Sequence, residues 1–320
     1  MANENETYPL GRDSKESARL NVQNAFLIEL IGTSPIHASI PENEIKCVAD
    51  VATGTGVWLR DIATHLQKTN AKTKLEPMCH SPSSCSTRNT SEDTDTDTDE
   101  NEEEYYYHGF DISPTQFIKY NTSNTVSPIN LSVHNILDPF PEEHKGRYDL
   151  VHVRLLVMGL KVEDYEAAIR NIWGLLKPGG YMQWEDIDAT SYSTAPAETE
   201  PPCVTEMRRL ITRAVNALGM SPVAPAVIER EAVEAGLEGV RRDVCSTVSR
   251  KEKLRDKARE WLVRAARCAL PVSMAKAGLI GEDEGKEVTE GLLRELEMGW
   301  GDAVPVVNLQ VVVGRRPLLE

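Results

Sequence analysis

One short run restricts the folds open to this chain more than any other: Val48-Ala49-Asp50-Val51-Ala52-Thr53-Gly54-Thr55-Gly56. It closes a β-branched segment, Ile45 to Val51, that reads as a buried strand. It opens onto Val57 to Lys68, where Leu59, Ile62, Ala63 and Leu66 recur at helical spacing. Strand, glycine turn and helix in that order make the opening half of a βαβ unit. Glycines in such a turn let backbone approach a ligand closely, and they expose amides at a helix N-terminus. The run alone does not choose the ligand. A nicotinamide site is disfavoured, because Leu59 stands at the third glycine position of the dinucleotide fingerprint, where bulk obstructs the pyrophosphate.

The same alternation governs the chain on both sides of this turn. Ser14 to Ile31 reads as a helix, capped by Asp13 or Ser14, with Leu20, Leu27 and Ile31 on one face. Tyr105 to Ile112 reads as a strand, Pro114 to Thr122 as a short helix, and Asn130 to Val133 and Tyr148 to Leu155 as strands. Val162 to Leu176 is a helix stopped by Lys177-Pro178-Gly179-Gly180, and Tyr181 to Ile187 is the next strand. This rhythm predicts an α/β fold around a doubly wound, mostly parallel sheet. Beyond Ala195 the pattern turns helical, over Val204–Leu218, Val227–Ala235, Lys253–Ala269 and Glu284–Met298. These helices are expected to cap the sheet, with Val240–Val248 and Val304–Val313 as strands at its far edge. The expected division is an N-terminal helical lid over 1–44, a core over 45–190, and a helical cap with the last strands over 191–320.

The stretch from Thr69 to Glu104 breaks the rhythm. It is rich in Ser, Thr, Asp and Glu, includes a Thr-Asp repeat from Thr94 to Asp99, and has too few apolar residues to offset the entropy of ordering. A disordered acidic insertion is expected, and calcium is not, since the turn glycine and distal bidentate Glu of a calcium loop are missing. Nine of the fifty acids but only one of the thirty-five bases lie in Ser81–Glu104, so the net charge of −15 becomes −7 for the remainder. No basic cluster exists to displace phosphate counterions, which argues against a nucleic-acid partner. No run of eighteen apolar residues exists for a membrane span, and Met1 to Pro9 is too polar for a signal peptide. Cys47, Cys79, Cys85, Cys203, Cys245 and Cys268 are too scattered for a disulfide framework or a zinc site, so a reducing, cytoplasmic setting without a metal is expected.

Asp111 ends the strand after the break. Fifty-five positions separate it from Gly56; without the 36-residue excursion the spacing is 19, close to the roughly 20 at which an acid accepts ribose hydroxyls. A helix cap is the competing role for Asp111. After the third strand comes His134-Asn135-Ile136-Leu137-Asp138-Pro139-Phe140-Pro141, where an amide side chain can pair with an adenine edge. Asp138-Pro139-Phe140 looks like the box of nucleic-acid amino-methylases only superficially, since Phe140 stands where a second proline belongs.

Taken in order, Asp50–Gly56, Gly109-Phe110-Asp111-Ile112, Asn135–Pro141, Tyr148–Arg154 and Leu176–Tyr181 resemble the motifs of class I S-adenosylmethionine-dependent methyltransferases. The wording of Ala52–Gly56, Asp138–Pro141, Tyr148–Leu156 and Lys177–Asp186, with the N-terminal stretch from Tyr8 to Gly32, is similar to the methyltransferases of fungal natural-product pathways. The resemblance implies S-adenosylmethionine as cofactor and a small-molecule acceptor methylated on O, N or S. It also implies roles for single residues. Asp50 orients the turn, and Ala52, Thr53, Gly54 and Gly56 surround the methionine moiety. Asp111, followed by Ile112, holds the ribose; Asn135 and Ile136 frame adenine; Arg154 borders the methionine amino group; Tyr8 and Arg19 close the pocket. Ala52 replaces the family's usual first glycine, Asn135 a frequent acid, and Asn24 a frequent histidine. The sulfonium already activates the methyl group, so the protein's task is alignment, exclusion of water and, for a hydroxyl or ammonium acceptor, removal of a proton. His152 and Glu185, near the tips of the fourth and fifth strands, are expected to face the crevice as candidate bases, while Trp184 belongs to the core or the acceptor-pocket wall. Two other readings stay open: a methyltransferase-like regulator acting through partners, and the same fold redeployed for a reaction other than methyl transfer.

Overall fold

The structure, a computed structural model, describes residues 14–32, 34–75, 105–117, 128–195, 197–299, 301 and 303–318. Its strands are β1 (Cys47–Val51), β2 (Tyr106–Asp111), β3 (Ile129–Val133), β4 (Tyr148–Arg154), β5 (Leu176–Ile187), β6 (Ser193–Ala195), β7 (Glu238–Ser246), β8 (Val304–Val306) and β9 (Asn308–Arg315). Its helices are α1 (Ser14–Ile31), α2 (Val57–Leu75), α3 (Tyr165–Leu175), α4 (Pro202–Ala217), α5 (Ala224–Glu234), α6 (Lys251–Lys276) and α7 (Glu282–Gly299).

Seven strands form one sheet in the order β3-β2-β1-β4-β5-β9-β7. The first five are parallel, and β9 is antiparallel to both β5 and β7. Parallel strands carry helices on both faces and bury side chains on each, as Val48, Ala49, Val51, Leu150, Val151 and Val153 show, all at most 1% exposed. On one face α2 sets Trp58, Leu59, Ile62 and Leu66 against Val48, Tyr107, Leu150 and Val311. On the other, α3 and α5 pack Ile169, Ile172, Ala224 and Ile228 against Val51, Val153, Trp184 and Val312. The remaining helices share a third core, with Phe26 and Leu27 of α1, Met207 of α4, Trp261 and Leu262 of α6, and Leu293 of α7. The order reverses direction between β1 and β4, and ligands of such sheets bind in the crevice outside the strand C-termini at that point.

Several expectations need correction. Helix α2 runs on to Leu75, seven residues into the stretch expected to be disordered, and 76–104 lies outside the described residues. The short helix after Ser113 is described only as a 3-10 turn, Pro114–Gln116, with Ser113 as its side-chain cap; 118–127 lies outside. Helix α5, expected in the cap, belongs to the sheet's own flanking layer. The Lys177–Gly180 stop is drawn into β5, because Arg316 exchanges backbone hydrogen bonds with it: Gly179 N to Arg316 O at 2.9 Å and Arg316 N to Gly180 O at 2.8 Å. The run Val304–Val313 is two strands, not one. At Val307 the backbone turns to Thr247, whose hydroxyl accepts from Val307 N at 3.0 Å. Ahead of that break β8 pairs with the unforeseen β6 in a separate two-stranded sheet, and β9 lies inside the large sheet rather than at its edge. No described helix is long and apolar enough to cross a membrane.

Candidate active site

At the C-terminal end of β1 the chain turns through Ala52 (φ 60°), Gly54 (φ 56°) and Gly56 (φ 76°). Glycine adopts this left-handed region freely; for alanine it costs about 1–2 kcal/mol. The surroundings hold the strain in place. Thr53 N donates to Phe110 O at 2.9 Å, Thr53 Oγ1 donates to Asp50 Oδ2 at 2.6 Å, and Gly56 N donates to Thr53 O at 2.9 Å. Gly54 N donates to Asp111 Oδ2 at 2.8 Å, which ties the tip of β2 to the turn. Gly109 makes this approach possible, since a Cβ there would stand 2.6 Å from Leu131 Cδ2 and 2.9 Å from Thr53 Cγ2.

A cavity of about 400 Å³ opens above this turn. Arg19, Asp50, Ala52, Thr53, Gly54, Asp111, Ile112, Asn135, Ile136, His152 and Arg154 all line it, so residues from positions 19 to 154 meet in one crevice. Two of the expected site residues do not. Gly56 shapes the turn from behind, through its bond to Thr53 O, and Glu185 lies beneath the cavity floor. Tyr8 lies outside the described residues. The Asp111 carboxylate borders the cavity and its Oδ1 accepts Ser113 N at 3.1 Å; the cap of the 3-10 turn that follows is Ser113, not Asp111. Asn135 Oδ1 accepts Leu137 N at 3.1 Å and Ile136 O accepts Asn171 Nδ2 at 2.8 Å, which braces the segment after β3.

Below the turn lies a chain of buried charges. His152 Nδ1 meets Asp50 Oδ1 at 2.7 Å, its Nε2 lies 3.3 Å from Glu185 Oε1, and Glu185 Oε2 lies 3.7 Å from Arg154 Nη1. Arg154 Nη2 donates to Asn24 Oδ1 at 2.7 Å, and Asn24 Nδ2 donates to Asp61 Oδ2 at 2.6 Å. Burial alone would lower His152, but Glu185 and Asp50 outweigh it and hold the imidazole above its usual range. Burial alone would raise Glu185, but His152, Arg154 and the Gln183 amide outweigh it and hold the carboxyl below its usual range. The expectation that Glu185 faces the crevice is therefore corrected: its carboxylate is 0% exposed and engaged by His152, Arg154 and Gln183 Nε2. His152 does border the cavity, with its ring stacked on Trp58 at 3.6 Å and 5°. Trp184 is core, packed on Tyr165.

The far half of the cavity runs under the helical core, along Tyr192, Met207, Ile211, Trp261, Leu262 and Cys268. The Tyr192 and Trp261 rings lie nearly parallel, 6.3 Å apart. Among the described residues the acids lining the cavity are Asp50 and Asp111, both at the turn. Between the two halves Leu155 adopts φ 54°, a second strained non-glycine position. It is held by its own amide to Glu185 O at 2.8 Å and by Leu156 N to Asp186 Oδ2 at 3.0 Å. Burial pushes the Asp186 carboxyl up to about 7 despite these amide donors. The sequence reading missed Trp58, Asn24's bridge and Asp186. The acidic pair Glu185-Asp186 inside an apolar strand was the available signal for the last, since a carboxylate buried in a sheet needs dedicated donors.

The methyltransferase domain family matches residues 94–183. The chain is 30% identical over 292 residues to methyltransferase grgD of a Penicillium species, across 91% of this chain and 90% of that protein. It is 23% identical to N-methyltransferase gliN of Aspergillus fumigatus, across 97% and 96%. Among solved structures, loganic acid methyltransferase with SAH superposes with a TM-score of 0.51 at 12% identity, across 95% of this chain and 94% of that one, a likeness of fold.

Proposed function

Given that the chain belongs to the class I S-adenosylmethionine-dependent methyltransferases of the fungal secondary-metabolite type, we propose that it methylates a nitrogen of a small, largely apolar secondary metabolite. S-adenosylmethionine is the cofactor, and the residues around the turn fit it. Arg154 Nη1 is buried without a hydrogen-bond partner, 3.7 Å from Glu185 Oε2, and the residue borders the cavity, so this guanidinium can meet the carboxylate of an amino-acid end. In this reading Ala52, Thr53 and Gly54 pass along that end, Asp111 and Ile112 border the ribose, Asn135 and Ile136 border adenine, and Arg19 of α1 closes the entrance. Helix α1 acts as the lid, and α4 and α6 supply the acceptor wall. When bound, the cofactor supplies a methyl carbon made electrophilic by the attached sulfonium.

The observation that carries the choice of nitrogen is the character of the acceptor wall. No carboxylate lines that half among the described residues, and its aromatic rings and aliphatic side chains exclude water. Burial raises Tyr192 and Cys268 on that wall, and Arg208 beside them is a guanidinium with no lone pair to offer, so none is a ready base at neutral pH. A neutral amine carries its own lone pair and needs only alignment with the methyl group, whereas a hydroxyl needs a base. The name of the Aspergillus relative, an N-methyltransferase, points the same way. Calorimetry with S-adenosylmethionine and S-adenosylhomocysteine tests the cofactor reading, which fails if neither binds. Paired acceptors differing only in amine or hydroxyl, scored by product mass, test the nitrogen. Methylation of the hydroxyl member alone would reverse that choice.

A further inference from the structure

We infer that His152 is a positioning residue rather than a proton acceptor: an imidazolium fixed between Asp50 and Glu185 that sets the aim of the glycine turn. The role rests on the function proposed above, but its evidence is geometric. A neutral imidazole has one N–H and one lone pair. His152 has a carboxylate at each nitrogen, Asp50 at 2.7 Å and Glu185 at 3.3 Å, and its side chain is 1% exposed. In the neutral form one of the two carboxylates would face a lone pair, in a setting where an unpaired buried charge is strongly unfavourable. Protonated, the ring offers a hydrogen to each.

The neighbours from each side agree. From β1 comes Asp50, from β5 Glu185, and from β4 Arg154, whose guanidinium lies 3.7 Å from the second Glu185 oxygen. From α2 comes the uncharged Trp58 ring, stacked at 3.6 Å, whose face favours a cation. His37 lies beyond Glu185 and is itself lowered by burial. Two carboxylates, one guanidinium and one imidazolium leave this buried group neutral. The Nδ1 contact to Asp50 is a hydrogen bond and the Nε2 contact to Glu185 an ion-pair approach at 3.3 Å; a ring protonated at both nitrogens has no lone pair to offer an acceptor in the cavity.

The consequence reaches the turn by two short bonds. His152 holds Asp50 Oδ1, and Asp50 Oδ2 accepts from Thr53 Oγ1 at 2.6 Å. Thr53 sits between Ala52 and Gly54, both in left-handed backbone. With its carboxylate no longer fixed by the ring, Asp50 can rotate and release Thr53, and the turn loses the support that offsets its strain.

The test separates a base from a brace. In the native protein with ¹⁵N-labelled histidine, both His152 ring nitrogens should remain protonated as the pH rises past the free value of about 6.5. A ring carrying one proton at pH 7 would overturn the inference. Glu185→Gln removes one of the two carboxylates and should bring the His152 titration down towards the free value; a titration unmoved by Glu185→Gln would also overturn it. In His152→Ala, S-adenosylhomocysteine affinity should fall about tenfold or more, the loss of one buried charged hydrogen bond, with kcat at saturating cofactor falling less than the affinity does. A general base predicts the reverse, with affinity intact and kcat down by about a hundredfold or more, and that pattern would overturn the inference. Wild-type calorimetry with S-adenosylhomocysteine is run first. Absence of binding there sinks the methyltransferase reading, while the two ¹⁵N titrations still decide the protonation state of His152.

Discussion

Ala52 stands in left-handed backbone beside the cavity, and the strain of that backbone costs stability. Replacement by glycine relieves about 1–2 kcal/mol of strain and gives back about 0.4–1 kcal/mol through the freer unfolded chain. Ala52→Gly should therefore be slightly more stable in urea, and Ala52→Val, β-branched at positive φ, clearly less stable. A lower midpoint for the glycine variant would remove the strain argument. Asp111 is tied to Gly54 N and to the cavity at once. Asp111→Ala should weaken S-adenosylmethionine binding by about tenfold or more, the scale of a lost charge-assisted hydrogen bond. Unchanged affinity would remove Asp111 from the ribose site. The identity of both residues was legible in the sequence, through the motif and the 19-residue corrected spacing. The burial of Glu185 was not. Alternation along β5 tells which face a side chain leaves from, yet only the approach of His152 and Arg154 from a neighbouring strand decides whether that face is open or sealed.

Strand β2 carries a histidine whose burial disfavours its charged form. His108 is 6% exposed, stacked on Phe110 at 4.3 Å, with its ring nitrogens 2.9 Å from Tyr106 Oη and Ser132 Oγ. Burial first, then His144 and Arg147, lowers it to about 4. The folded value lies below the unfolded value of about 6.5, so the neutral ring's contribution is complete above pH 6.5. It is lost as the pH falls towards 4, by about 3 kcal/mol in all. Urea midpoints of the wild type should drop between pH 7 and pH 4.5 more steeply than those of His108→Gln; parallel curves would discard the assignment. Element by element, the parallel strands and α2 were recognisable because their apolar residues recur at strand and helix spacing. The split of β8 from β9 was not recognisable, since Val304–Val313 is mostly apolar, with only Asn308 and Gln310 polar, and the break is imposed by Thr247, nearly sixty residues away.

At the scale of the molecule, the acidic segment can be removed without touching a described element. Deleting Ser81–Glu104 removes no residue of α2, β2 or the β1–β2 pairing, and shortening the connection this far changes closure entropy by about 1.4 kcal/mol. Turnover and thermal midpoint should both survive the deletion. Loss of turnover would show that the segment takes part in catalysis or in holding the site. Along the chain, the βα rhythm, the glycine turn and the acid at the tip of β2 follow from short-range periodicity and backbone sterics, which each segment expresses alone. They were enough to settle the sheet's parallel core and where its crevice opens. Which helices cover the sheet and which build a separate core, where the last strands insert, and whether His152 is a free base or a braced cation depend on contacts between segments distant in sequence. Burial and charge pairing are properties of those contacts, so tertiary packing decided them.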